Sequence, residues 1–522
     1  MTRHYNEIGV GDASLLLFCL IDTIKQIIEI VKEGVIIMAE IQRETAKKPF
    51  PTWKEWLYGT GTLGFTMCNS VMNTFYFYFL TNVVMMAPGF MAIVTTVSRF
   101  AGVFYAPIKG VIMGKAEWKA GKYGVYLKWF EPLSRLLMCL CFVNIQASQT
   151  VQFIYYVGIF VVASFLSTFV DTAALAALPY ITQDNQQRVR LSSKRSVVAT
   201  LGQVIYSLIT VKLVAAIGQG DQGKGYLWVY IIYSIVAVIG YNLTAQVCIK
   251  DYDFYKVAEA GEKEKAKLEA DKASAPVEKK DSIPVSVYIN SYLKNPAPLV
   301  LFLGDACKAS ASLLYAGAIT YYLTYYVGEP DKLTLFLFTA NMSMLIGSWC
   351  CPLSVKLFGR KMTNILAYGG FGVALIVAHY VGVGQAWGIT TFVGIGRFFS
   401  GLNASIKGAF YVDIGDDYEY KTGYNLTPFF MSMGGLSWTL ASVLCGGIVG
   451  GTLAKVGFNA AEAVTQPMLD AMLNLVTFIP GIPLAIGTVL FAVGYNLTDK
   501  HMEPVRAELA KRRAAKAAEK AE

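Results

Sequence analysis

The chain has 522 residues, 55% of them hydrophobic and only 16% charged, with a formal net charge of +9. Its mean hydropathy of +0.46 excludes a soluble globular domain, and the positive excess is a bias of the loops rather than a nucleic-acid footprint. Nine cysteines without metal spacing, three scattered histidines (His4, His379 and His501), no nucleotide-binding loop and no nucleophile elbow leave no sign of an enzyme or of a cofactor.

The first predicted element is an amphipathic helix over Ala13–Ile41, within an N-terminal extension of residues 1–52 that shows no signal-peptide pattern. At the helical period of about 3.6, Asp22, Lys25, Gln26, Glu29, Lys32, Glu33 and Glu40 fall in an arc of roughly 120°. A spanning helix would bury those charges, so the expected place is the membrane surface or the underside of a bundle. Six apolar runs follow within residues 53–249: Tyr58–Val84, Phe90–Met113, Leu127–Ile145, Val151–Tyr180, Val197–Ile217 and Leu227–Cys248. A polar, lysine-rich linker (250–296) leads to six more within 297–497: Leu299–Val327, Leu333–Leu357, Thr363–Val381, Ile389–Val412, Leu426–Leu453 and Ala471–Asn496. A charged tail covers 498–522. Each run is near the roughly 20 residues that cross a bilayer as a helix. The expected fold is an all-α integral membrane protein with twelve transmembrane helices in two pseudosymmetric six-helix domains, a layout shared by many secondary transporters.

Basic residues collect in alternate loops: Lys109, Lys115, Lys119, Lys122 and Lys128, then Arg188, Arg190, Lys194 and Arg195, then Lys356, Arg360 and Lys361. The loops Met85–Gly89, Gln146–Thr150 and Gly382–Trp387 carry none. The positive-inside rule then places the chain in the cytoplasmic membrane with both termini cytoplasmic. Glycine turns with basic residues recur at matching places, Gly121-Lys122-Tyr123-Gly124 and Gly359-Arg360-Lys361. Their recurrence implies an internal repeat, with Lys122 at a candidate cytoplasmic gate.

Ionisable groups inside the runs mark sites or pairs, because hydrocarbon excludes them. Asp171 lies mid-run, where a carboxylate could accept two sugar hydroxyls; an ion pair with a neighbouring helix is the alternative reading. Asp305 and Lys308, three apart, are expected to pair, as are Glu131 and Arg135. Lys407 has no local partner, and a bridge from it to Asp171 across the two halves fits the pseudosymmetry. Tyr76 and Tyr105 are the aromatic candidates for a sugar face. Arg99 is read either as a grip on an anionic solute group or as the partner of a structural carboxylate.

Several motifs resemble the glycoside–pentoside–hexuronide cation symporters, the melibiose-permease group of the major facilitator superfamily. Tyr78-Phe79-Leu80-Thr81-Asn82-Val83-Val84 resembles the end of that family's helix one. Arg99, Pro107 and Gly110 fit its R-x-x-D-x-x-x-D-P-x-x-G signature in helix two. Leu178-Pro179-Tyr180-Ile181-Thr182-Gln183-Asp184 with Arg190-Leu191-Ser192-Ser193-Lys194-Arg195 resembles its loop between helices four and five, and Tyr321-Tyr322-Leu323-Thr324-Tyr325 its helix seven. Asp413 to Gly423 resembles its D-x-x-D-Y-x-E-x-K-T-G run, with Asp417 in place of tyrosine. The resemblance implies the major facilitator fold, a sugar contact at Asp171, the family arginine at Arg195, and gating roles for Asp413 and Asp417.

The departures fall on one function. The family's two cation-binding aspartates of helix two fall at Gly102 and Ala106, its helix-eleven lysine at Thr439, and the helix-four tryptophan at Leu175. A hard cation needs several oxygen ligands, which glycine and alanine side chains cannot supply. The expected function is therefore secondary transport of a sugar, glycoside or hexuronide-like solute without the family's Na⁺ site. A proton or cation on Asp171 or Asp305 remains open as the coupling partner. A transport-inactive sensor and a carrier of an amphipathic, lipid-like solute are the alternatives.

Overall fold

The computed structural model describes residues 52–115, 123–181, 185–250, 285–293, 295–424 and 426–519. The helix expected over Ala13–Ile41, most of the linker and Lys122 lie outside these residues. Every regular element among the described residues is helical. Among the described residues, seven helices are long and apolar enough to cross a membrane: Gln149–Ala176, Arg190–Gly218, Gln222–Val247, Pro296–Val327, Pro330–Val381, Phe429–Lys455 and Gln466–Gly494.

Other predicted spans are present but interrupted. The first is a helix, Gly61–Thr74 (α1), that loosens at Phe75 and ends in the π-helical turn Phe79–Val83. The second is divided at Ala101 into Pro88–Phe100 (α2) and Gly102–Lys115 (α3). The third is the π turn Tyr126–Phe130 followed by Glu131–Leu140 (α4). After it come Gln149–Ala176 (α5), Asn185–Gly218 (α6) and Gln222–Lys250 (α7). The second part of the chain opens with Pro296–Tyr321 (α8), whose start is fixed by Pro296 at the first turn and by the Asn295 side chain accepting from Ala297 N at 3.3 Å.

Leu333–Val381 (α9) holds two predicted spans joined across a kink at Gly359, with φ 77° and ψ 164°. Only glycine takes that conformation at no steric cost, so the turn expected there is built on this residue. Ala386–Thr422 (α10) is long enough to span and carries Arg397, Ser400, Asn403 and Lys407 along its length. The chain closes with Thr427–Lys455 (α11), Gln466–Val476 (α12), Phe478–Gly494 (α13) and Asp499–Glu519 (α14). Met502, Val505 and Leu509 are buried, so one face of α14 is docked.

Small residues let backbones approach where helices cross. A Cβ at Gly450 on α11 would lie 2.5 Å from Ala92 Cβ on α2, and one at Gly446 would lie 2.6 Å from Thr95 Oγ1. These contacts join the first and second parts of the chain. Within the second part, a Cβ at Gly347 would meet Phe398 O at 1.9 Å.

Candidate functional site

In the first part of the chain the acids are paired. Glu131 and Arg135, one turn apart on α4, lie 2.7 Å apart and are 0% and 2% exposed. Arg135 also rests on the Phe65 ring at 4.9 Å and reaches Ser167 Oγ at 3.4 Å and Tyr230 OH at 3.5 Å. Asp171 on α5 pairs with Arg195 on α6 at 2.5 Å. This second pair is accessible: the Asp171 side chain is 45% exposed and that of Arg195 16%. Nearby, Lys109 donates to Thr172 Oγ1 at 2.6 Å. The expected bridge from Asp171 to Lys407 is not formed, because Arg195 is closer and takes the carboxylate.

The second part concentrates charge around one carboxylate. Asp305 on α8, 3% exposed, accepts from Tyr368 OH at 2.9 Å and Tyr411 OH at 2.9 Å, and pairs with Lys407 at 3.0 Å. Lys407 also reaches Gly434 O at 3.4 Å. The expected Asp305–Lys308 pair is corrected: Lys308 turns away to Ser400 O at 3.1 Å and Asn403 Oδ1 at 2.5 Å. On the helical period, side chains three apart need not converge when a third helix offers closer partners. Asn403 in turn donates to Asn364 Oδ1 at 2.6 Å.

Arg397 belongs to the same polar stripe of α10, and the sequence reading did not single it out. It is 9% exposed, donates to Met344 Sδ at 2.8 Å, and lies 5.8 Å from the Tyr315 ring centroid. A charge in hydrocarbon costs about 2.5–3.5 kcal/mol on insertion scales, so an arginine held there by a thioether calls for a reason. The available signal was the lone charge in the apolar run Gly394-Ile395-Gly396-Arg397-Phe398-Phe399.

One end of the molecule is sealed between the two parts. Thr81 and Tyr321 hydroxyls lie 2.7 Å apart, Tyr325 OH donates to Asn82 Oδ1, and the Tyr78 and Tyr321 rings meet edge-on at 5.4 Å. Closer to the middle, Arg99 donates to Ser442 O at 3.2 Å and lies over the Phe77 ring at 5.1 Å. A Cβ at Gly102 would lie 3.5 Å from Thr439 Cγ2, so these two positions are neighbours across the same seam. The other candidate aromatics face inward: Tyr76 is 1% exposed and packs between Phe142 and Phe160, while Tyr105 OH donates to Val161 O at 2.8 Å.

At the opposite end, charges are tied within each part. Glu55 holds Lys194 at 2.5 Å and Arg190 at 3.5 Å. Asp413, 2% exposed, accepts from Arg360 at 2.6 Å and from Arg506 of α14, and Arg360 also grips Asp499. Asp417, fully buried, accepts from Lys421 at 2.6 Å and lies 3.0 Å from His501 Nε2. The Gly359 turn and α14 are thereby fastened to the end of α10.

The family description "MFS/sugar transport protein" matches residues 57–499. The putative glycoside/cation symporter YagG of Escherichia coli K12 is 23% identical over 462 residues, covering 87% of this chain and 94% of that protein. The isoprimeverose transporter of Lactiplantibacillus pentosus is 22% identical over 484 residues, covering 90% and 93%. Among solved structures, a bacterial homologue of the iron transporter ferroportin in an inward-facing state aligns with TM-score 0.58 at 14% identity, covering 86% of this chain and 100% of that one. This last likeness concerns the fold.

Proposed function

The chain belongs to the MFS/sugar transport family, a family of membrane transporters and not of enzymes, and we propose that it moves a sugar- or glycoside-like solute by alternating access between two six-helix halves. The observation that carries this reading is the one-sided seal. Cross-half hydrogen bonds and glycine contacts gather around Thr81, Asn82, Tyr321, Tyr325, Gly446 and Gly450, whereas the described ion pairs at the other end each stay within one half. With both termini cytoplasmic, the sealed end is the outer one and the state is inward-facing. Asp171 and Arg195 then face a water-filled inward cavity, because a half-exposed carboxylate toward lipid would be expelled. A carboxylate and a guanidinium side by side offer acceptors and donors to a polyhydroxylated ring.

Coupling does not use the family's cation site. Gly102 and Thr439 adjoin at the place where the family's aspartate and lysine would meet, so both sides of that site are emptied together. Among the described residues, no three His, Cys, Asp or Glu side chains group closely enough to hold a metal ion. Among the buried carboxylates Glu55, Glu131, Asp305, Asp413 and Asp417, Asp305 is the one we assign to coupling, because loss of its charge would release Lys407. Purified protein in proteoliposomes, given methyl glycosides under separate Na⁺ and pH gradients, tests this. Uptake is expected to follow the pH gradient, to ignore Na⁺, and to lose its drive in Asp305→Asn. Concentrative uptake driven by Na⁺ alone would overturn the coupling assignment, since linkage requires the ion to bind the two states differently.

A further inference from the structure

We propose that the crevice over the outer seal is a binding site for a small organic amine, and that an amine held there keeps the outer end closed. The inference rests on the transport reading, which sets the outer end and the movement of the halves. The crevice holds about 660 Å³ and opens to solvent. Tyr78, Asn82, Asn144 and Asp221 of the first half line it together with Tyr325 and Ala460 of the second. Its wall includes both partners of the Asn82–Tyr325 hydrogen bond, so it has this shape only while the seal is made. The rim is held in strained backbone. Met85, at φ 58°, lines the crevice, and Gln219, at φ 45°, precedes the lining Gly220. These are the two non-glycine residues of positive φ among the described residues, and such strain gathers at functional sites.

The chemistry of the wall selects the ligand. No lysine, arginine or histidine stands among the described lining residues, and Asp221 brings a negative charge. Asp221 pairs with Lys224 at 3.7 Å, but those side chains are 52% and 72% exposed, so water screens the pair. The donors of the wall are turned onto the protein itself. Asn82 Nδ2 donates to Thr81 Oγ1 at 2.8 Å and to Tyr78 O at 3.1 Å, Asn144 Nδ2 donates to Val83 O at 3.0 Å, and Tyr325 OH donates to Asn82 Oδ1. The groups left to a ligand are chiefly acceptors, the Asp221 carboxylate and the Asn144 carbonyl oxygen. An ammonium brings three N–H donors and a positive charge, and the Tyr78 and Tyr325 rings suit a cation. An anion finds no cationic side chain in this wall. Linkage gives the consequence. The walls belong to different halves and part when the outer end opens, so the amine binds the closed state alone. At ten times its dissociation constant it favours that state about elevenfold.

The full chain in detergent, at neutral pH and constant ionic strength, is titrated with Tris while thermal unfolding is followed. Trimethylolethane, which carries a methyl group where Tris carries its ammonium, is the neutral control. Wild type is expected to show a saturable rise in Tm with Tris and none with trimethylolethane. Asp221→Asn removes the charge but keeps an acceptor for Lys224 N, which now donates to Asp221 Oδ1 at 3.1 Å. It should weaken Tris binding about tenfold, the worth of one charge-assisted hydrogen bond. Asp221→Ser, which can accept from the same N–H, should do likewise. No saturable rise, or an equal rise with the neutral control or in both variants, overturns the site. Uptake of methyl β-glucoside into proteoliposomes tests the closure. Saturating Tris on both sides should slow wild type up to about tenfold and Asp221→Asn far less. Uptake that ignores Tris despite the Tm rise overturns the closure. A Tris-specific rise lost in both variants, with no glucoside carried by untreated wild type, upholds the site and counts against the sugar reading.

Discussion

The two halves of the molecule treat the acids of their membrane runs differently at Glu131 and at Asp305. In the first, the acids pair with nearby cations: buried Glu131 has Arg135 at 2.7 Å, buried Glu55 has Lys194 at 2.5 Å, and the half-exposed Asp171 has Arg195 at 2.5 Å. In the second, Asp305 is shared by Lys407 and two tyrosines, while Lys308 and Arg397 are left to neutral acceptors. Pairing on one helix neutralises a charge permanently and leaves nothing to switch. A carboxylate held by groups from several helices loses or gains partners when those helices move, which is what a coupling element requires.

The largest expected effect breaks the self-contained pair. Glu131→Gln leaves Arg135 buried and uncompensated, and stripping one partner from such a pair costs about 3–5 kcal/mol. Folded yield in detergent should collapse, measured as the monodisperse fraction on size exclusion. Replacing both members with apolar residues of similar volume should recover most of it. If Glu131→Gln is as stable as wild type, the pair is not a scaffold and the contrast between halves fails.

A smaller effect is expected at Asp171. Its side chain is half exposed, so screening by water limits what the ion pair contributes to about 1 kcal/mol or less. Asp171→Asn should therefore express and unfold much as wild type does, while solute affinity falls about tenfold through loss of one charge-assisted hydrogen bond. Equilibrium binding of a transported glycoside checks this. Unchanged affinity in a folded variant would remove Asp171 from the solute site. Loss of folded protein would make the pair structural, like Glu131–Arg135.

What the sequence revealed follows the distance over which each feature is built. Glu131 and Arg135 are one turn apart, and Gly359 makes its turn with its own backbone, so both were legible in local spacing. The partners of Asp305 come from positions 368, 407 and 411, on two other helices, and no periodicity announces them. Spacing suggested Lys308 instead, and packing against α10 overruled it. The interruption of the early spans escaped notice because a π turn such as Phe79–Val83 is as apolar as the helix it ends. The tail over 498–522 read only as charged, yet Met502, Val505 and Leu509 recur at three and four residues and form a docked face. That spacing was visible, but the strong charge of the segment outweighed it.

The smallest effect tests whether the sealed end belongs to the working cycle or to a rigid scaffold. Tyr321 OH and Thr81 Oγ1 meet across the halves at 2.7 Å. Thr81 keeps local carbonyls, Phe77 O at 3.2 Å and Tyr78 O at 3.4 Å, so Tyr321→Phe removes the cross-half bond without stranding its partner. The net worth of such a bond is about 1 kcal/mol, which shifts a two-state population about fivefold. On the proposed orientation the bond exists only when the outer end is closed, so the shift should favour the outward-open state. Electron–electron distance measurements between spin labels at Ala147 and Ala460, in a cysteine-depleted background, should show the wider distance gaining population by that factor. Thr81→Val should do the same, and the double variant should add little beyond either, because both remove one shared contact. Fully additive shifts would mean the two hydroxyls act through separate neighbours. An unchanged distance distribution in both single variants would make the seal a property of the glycine and aromatic packing around Gly446, Gly450 and Tyr78, with the hydrogen bond incidental to it.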